Sequence, residues 1–147
     1  QWTVEVLKVN ARLFKLTNGR KMPVSAAARL IANLLFSSRY FPLLTQVLIG
    51  GVDETGPHIY SLDPFGSLTE EKCVATGSGS PIAYGVLEDQ YREETAVEEL
   101  LPVVVRAVHS AMKRDAASGD SFDVAVVDKK GFRELTQEEK KKILGST

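Results

Sequence analysis

Three short stretches combine small residues with hydroxyls and carboxylates: Asp63 to Ser67 (DPFGS), Thr76 to Ser80 (TGSGS) and Asp115 to Ser121 (DAASGDS). Carboxylates accept hydrogen bonds, hydroxyls donate and accept, and glycine lets a backbone come close to a reacting group. In TGSGS two glycines can expose successive N–H groups at a helix start, where an oxyanion or phosphate is favoured. Equally, Ser78 and Ser80 can simply cap the helix that follows. The stretch is no Walker motif, since it lacks both the full glycine spacing and the lysine. The third cluster is either a plain helix-to-strand turn or one wall of a site.

A serine nucleophile would need a base, and the only histidines are His58 and His109. One falls in an expected strand and the other in a long helix, neither with a local partner pattern, so both read as structural or partly exposed. No HExxH, paired cysteines or clustered His and Asp ligands point to a metal, and no cofactor is expected.

These stretches must be positioned by helices and strands that the hydrophobic period locates. A first helix is expected from about Trp2 to Phe14, ending by Asn18 and Gly19, with Trp2, Val6, Val9, Leu13 and Leu16 as its inward stripe. Pro23 opens a second, carrying Ala27, Leu30, Ile31, Leu34 and Leu35, and Pro42 closes it. From Leu43 the pattern turns to sheet: one arm holds Val47, Leu48 and Ile49, a turn spans Asp53 to Gly56, and Ile59, Tyr60 and Leu62 return. Gly50 and Gly51 suggest a bulge or a close backbone approach, and Leu68 with Cys73, Val74 and Ala75 is expected to extend the sheet.

Pro81 starts a helix that turns Ile82, Val86 and Leu87 inward. A longer one follows, with Thr95 and Glu98 as a capping box, Leu101, Val105, Val108 and Met112 as its stripe, and Pro102 bending it or delaying its regular start. Beyond Ser121 the period becomes two, with Phe122, Val124 and Val126 on one side, then an edge strand at FREL and a capped helix from Thr136. Helices and strands come in groups rather than in strict alternation, which favours α+β layering over a doubly wound fold.

The chain has 147 residues, 44% of them hydrophobic, enough for one globular core. With 18 basic against 19 acidic residues, nothing draws it to nucleic acid or an anionic membrane, and no apolar run has the length of a membrane span. Cys73 stands alone, so no internal disulfide forms, which fits a reducing compartment. The sequence opens with Gln1 directly inside an apolar-periodic segment, and the expectation is that it is the later part of a longer polypeptide.

Four ordered blocks, SSRYFPLLTQVLIGGVD, IYSLDPFGS, ATGSGSPIAYGVLED and AMKRDAASGDSFDVAVV, closely resemble the β-type subunits of the 20S proteasome, particularly the archaeal kind. The resemblance spans essentially the whole chain. It implies residues 1–147 of a single Ntn-hydrolase domain, an α+β four-layer αββα sandwich, incomplete here because the first strands are absent. It also implies a cytoplasmic threonine-type endopeptidase built into seven-membered β rings against α-subunit rings, cleaving unfolded polypeptides. The nucleophilic threonine, its lysine and a first aspartate would lie upstream, so these residues alone are expected to be inactive.

What the resemblance carries onto this sequence is a supporting shell. Ser78 matches the serine that orients the threonine amine or a water, Asp115 the aspartate that anchors the network, and Ser118 the second supporting serine. Gly79 and Gly119 match the supporting backbone positions, and Asp63, with Phe65 beside it, matches an acidic position lining the substrate pocket of the adjacent subunit. The competing expectations are a noncatalytic ring subunit and, more remotely, an anion binder at TGSGS.

Overall fold

The computed structural model describes residues 2–42 and 45–145. The fold is α+β and forms two compact units, residues 1–72 and 73–147, each with its own core.

In the first unit, α1 (Trp2–Asn18) and α2 (Val24–Ser37) precede an antiparallel sheet of β1 (Val47–Asp53), β2 (Gly56–Leu62) and β3 (Leu68–Glu71), in the order β1-β2-β3. α2 buries Val24, Ala28, Ile31, Ala32 and Leu35 against Tyr60 and Leu62, with Leu7, Val47, Ile49 and Leu68 packed around them. The hairpin register runs one for one from Val47↔Leu62 to Asp53↔Gly56, so Gly50 and Gly51 form no bulge. Gly51 instead answers to a close approach, because a Cβ there would come within 2.9 Å of the Val24 side chain.

Several expectations are corrected here. Trp2, Val9, Leu13 and Leu16 of α1 are exposed, and its half-buried side carries Val6, Leu7 and Phe14. The helix is apolar on two faces, so period alone could not say which one packs. Its end is as expected, at Asn18, with Gly19 at φ +66°. The expected strand start at Leu43 lies outside the described residues, and regular pairing begins at Val47. β3 ends at Glu71, while Cys73 and Ala75 pack on the helices of the second unit instead of extending the sheet.

The second unit consists of α3 (Ser80–Gln90), α4 (Val97–Arg114), a 3-10 turn (Ala116–Ser118), the hairpin β4 (Ala125–Asp128) and β5 (Gly131–Glu134), and α5 (Gln137–Gly145). α4 is buried on two sides. Ala107 meets Ala83 and Leu87 of α3, whereas Val105 meets Val124 and Leu135. The facing alanines let α3 and α4 pack closely. β4 starts three residues after the expected Phe122, although Phe122, Val124 and Val126 do share one core.

The two capping boxes part company. Thr136 and Glu139 form theirs: the Thr136 N–H donates to Glu139 Oε2 (2.7 Å) and the Glu139 N–H to Thr136 Oγ1 (3.2 Å). Thr95 does not cap, since its hydroxyl donates to the Arg92 carbonyl (2.8 Å) and Ala96 takes the N-cap position. Nor does Pro102 delay the helix, which is already regular at Val97. α5 is fastened by Lys140, only 5% exposed, whose ammonium donates to the Phe122 carbonyl (2.7 Å) and to Asp123 Oδ1 (3.2 Å).

Gly66 offers a direct check of the first core. It adopts φ +84°, and a Cβ there would overlap the Ala32 carbonyl oxygen and lie 2.9 Å from Phe36 Cβ. Gly66→Ala should lower unfolding free energy by at least about 2 kcal/mol in denaturant titration. Gly19→Ala, at φ +66° with open space around it, should cost about 1 kcal/mol.

Candidate active site

Ser78, Asp115 and Ser118 all lie in the second unit, and the fold brings them to one point. α4 ends at Arg114, and the Asp115 N–H still donates to the Ala111 carbonyl (2.8 Å). Asp115 then leaves helical geometry at φ −118°, and its side chain caps the following turn, Oδ1 accepting weakly from the Ala117 N–H (3.4 Å). That turn returns Ser118 towards its own cap. The Ser118 hydroxyl donates to Asp115 Oδ2 at 2.6 Å.

The third member arrives from 37 positions earlier in the chain. The Ser78 hydroxyl donates to the same Oδ2, also at 2.6 Å. This answers the capping question raised by TGSGS, because the N-cap of α3 is Gly79, without a side-chain cap, and Ser78 is committed to Asp115.

Two glycines make the meeting possible for different reasons. Gly79 is buried, and a Cβ on it would overlap Ser118 Oγ, stand 2.9 Å from Ala111 Cβ and 3.4 Å from Asp115 Oδ2. Only a residue without a side chain lets the loop lie this close to the end of α4. Gly119 has open space but φ +73°, a backbone region that L side chains rarely adopt, and it turns the chain away towards β4.

The electrostatics follow from proton counting. Both hydroxyls spend their single proton on the carboxylate, which leaves their oxygens able only to accept. Hydrogen bonds from Ser118 first and Ser78 second, then from the Ala117 amide, hold Asp115 below the usual carboxylate range. A depressed carboxylate is a weak base, so this trio is poorly suited to activate either serine as a nucleophile. It is suited to receive donors, such as an amine or a water, beside a fixed negative charge. A groove on the same unit, lined by Ile82, Ser110, Lys113 and Arg114, does not count the three residues among its walls.

Asp63 belongs to the first unit and organises its own loop. Its Oδ1 accepts from the Phe65 N–H (2.8 Å) and the Ser67 N–H (2.9 Å), and bonding to Ser67 chiefly lowers its pKa. Phe65 is 60% exposed beside it. No group of His, Cys, Asp and Glu that could hold a metal occurs among the described residues. Sequence reasoning missed the partners of His58, which contacts Thr55 and Glu70, each at 2.6 Å. The spacing D-x-T-x-x-H in a hairpin turn was the available signal, but Glu70 is brought in by strand pairing alone.

A profile of proteasome subunits matches residues 1–127. The chain belongs to the proteasome subunit family. It is 51% identical over 142 residues to a proteasome subunit beta of Methanosarcina mazei, an alignment covering 96% of this chain and 68% of the relative. A proteasome subunit beta of Ferroglobus placidus is 52% identical over 145 residues, covering 98% and 69%. A proteasome subunit beta 2 of Aeropyrum pernix is 52% identical over 130 residues, covering 88% and 59%. Within this family the present chain has no described helix long and apolar enough to cross a membrane.

The serine donors make Asp115 a reporter of the site. Its stabilising contribution is present above the ordinary carboxylate pKa and is lost as pH falls through its lowered value. Ser118→Ala should move the Asp115 midpoint, read by carboxyl NMR, up towards 3.8 and by more than Ser78→Ala does. Unchanged midpoints in both variants would remove the shared-oxygen geometry.

Proposed function

We propose that this chain is the larger part of a single Ntn-hydrolase domain of a 20S proteasome β-type subunit, in which Asp115, Ser78 and Ser118 support a threonine nucleophile. That nucleophile would come from polypeptide outside residues 1–147. The family membership supports the subunit reading. The single observation that carries the catalytic reading is the shared acceptor, Asp115 Oδ2, on which two serines from distant parts of the chain converge.

The chemistry follows from what such a centre offers. An N-terminal threonine carries its own base, the free α-amine, so its hydroxyl needs no histidine. Serine oxygens that have already given their protons to Asp115 can accept from the N–H groups of that amine and fix its lone pair beside the hydroxyl. The hydroxyl gives its proton to the α-amine as its oxygen attacks the scissile carbonyl. The peptide C–N bond then breaks, the leaving amine takes that proton, and water hydrolyses the remaining ester to a carboxylic acid and the free threonine hydroxyl. Charges and hydroxyls set in place beforehand lower the barrier because they need not reorganise as charge moves. Gly79 and Gly119 shape the supporting backbone, and Asp63 with Phe65 contributes to the substrate pocket of the adjacent subunit.

In this reading the two sheets are parts of a four-layer αββα sandwich. The chain assembles with other β subunits in a seven-membered ring, against α-subunit rings, and acts on unfolded polypeptides in the cytoplasm. A noncatalytic ring subunit is the second reading, favoured by the fact that the trio itself has no strong base or nucleophile.

One experiment separates them. In the full-length subunit within its assembly, a threonine-directed covalent inhibitor should label the β subunit, and Asp115→Ala should lower peptide hydrolysis about a hundredfold while ring assembly persists. Assembly without labelling would establish the noncatalytic role. Unchanged hydrolysis in the Asp115 variant would exclude the proposed support.

A further inference from the structure

A second polar constellation lies in the first unit, at the β1–β2 turn. Asp53 Oδ2 accepts from the Val24 N–H at 3.0 Å, capping the start of α2 across 29 positions. Asp53 Oδ1 accepts from the Thr55 N–H (2.8 Å) and pairs with Thr55 Oγ1 (2.6 Å). Thr55 Oγ1 lies 2.6 Å from His58 Nε2, and His58 Nδ1 lies 2.6 Å from Glu70 Oε1 on β3. The side chains of His58 and Asp53 are 21% and 13% exposed, while Thr55 and Glu70 face solvent.

Counting protons decides the state of the ring. Three short contacts join two carboxylates, one hydroxyl and one imidazole, and a hydroxyl has a single proton to give. All three are hydrogen bonds only if Thr55 donates to Asp53, Nε2–H donates to Thr55, and Nδ1–H donates to Glu70. That requires both ring nitrogens to carry hydrogen. With a neutral ring, the proton stays at Nδ1 facing Glu70, and the Thr55 hydroxyl must choose between Asp53 and Nε2.

We propose that Asp53, Thr55, His58 and Glu70 form a proton-dependent clasp, closed when His58 is imidazolium, that fastens β3 and the start of α2 to the β1–β2 turn. Asp53 from β1 and Glu70 from β3 are the charged groups that act on the ring, and Tyr60 stacks on it at 6.2 Å from the same strand. The Glu70 hydrogen bond is the largest influence raising the His58 pKa above its ordinary 6.5, with Asp53 adding to it against partial burial. Asp53 itself is lowered to about 2, first by the Thr55 hydroxyl and then by the Val24 amide, so it stays ionised wherever His58 titrates. A group whose pKa is raised on folding stabilises fully below its unfolded value and loses that contribution as pH rises through the folded one. The clasp is therefore closed at pH below 6.5 and opens as pH rises through the raised His58 value.

The test uses the full-length subunit with labelled histidine. Imidazole nitrogen shifts should report a doubly protonated His58 at pH 6 and a midpoint above 6.5, and Glu70→Gln should bring that midpoint down. Amide exchange at Val24 and Thr55, corrected for its intrinsic pH dependence, should quicken as pH rises through the wild-type midpoint. A singly protonated ring at pH 6, a midpoint unmoved by Glu70→Gln, or exchange indifferent to the titration would each overturn the clasp. The wild-type shifts decide the matter even where the variant folds poorly.

Discussion

One carboxylate oxygen holds the second unit's polar centre together. Asp115 Oδ2 accepts from Ser78 and Ser118 at equal distance, and every neighbouring feature serves that meeting. An acceptor with two short donors has little freedom to rotate. It fixes the end of α4, the 3-10 turn after it and the loop before α3 in one arrangement. Because the donors are hydroxyls and not cations, the site keeps its negative charge and its appetite for a further donor.

The packing of α4 supplies the frame. Ala107 and Ala83 bring α3 close, which delivers the TGSGS loop to the last turn of α4, and Gly79 leaves no side chain to hold the two apart. On its other side Val105 packs with Val124 and Leu135, anchoring the chain where it leaves the site for β4. Lys140 ties α5 to the same departing segment through the Phe122 carbonyl. A helix buried on two faces is a rigid platform, and its end is where a precisely placed carboxylate can be afforded.

Element order was legible because period and punctuation agreed almost everywhere. Pro23, Pro81, Gly19 and the Thr136–Glu139 box mark real ends. Legibility failed where two local options were equally good. α1 carries apolar residues on two faces, and only the core of α2 and the sheet selects Leu7 over Trp2 and Leu16. Thr95 has capping chemistry, yet it closes the preceding turn on Arg92, because a hydroxyl serves whichever carbonyl or amide the backbone presents. Cys73 and Ala75 flank Val74 in a short apolar run that reads as strand or helix alike, and they find their apolar partners on helices.

From its own letters the chain determined which residue types meet reactive chemistry: an aspartate at a helix end and serines beside glycines. Those are local properties, fixed by composition and spacing within a few residues. Tertiary structure alone decided that Ser78 crosses 37 positions to share an oxygen with Ser118, and that Glu70 comes to face His58 across a strand pair. The physical reason is the same in both cases. Short-range sequence sets how a segment bends and what it can donate, but which acceptor it reaches depends on close packing between elements that are distant along the chain.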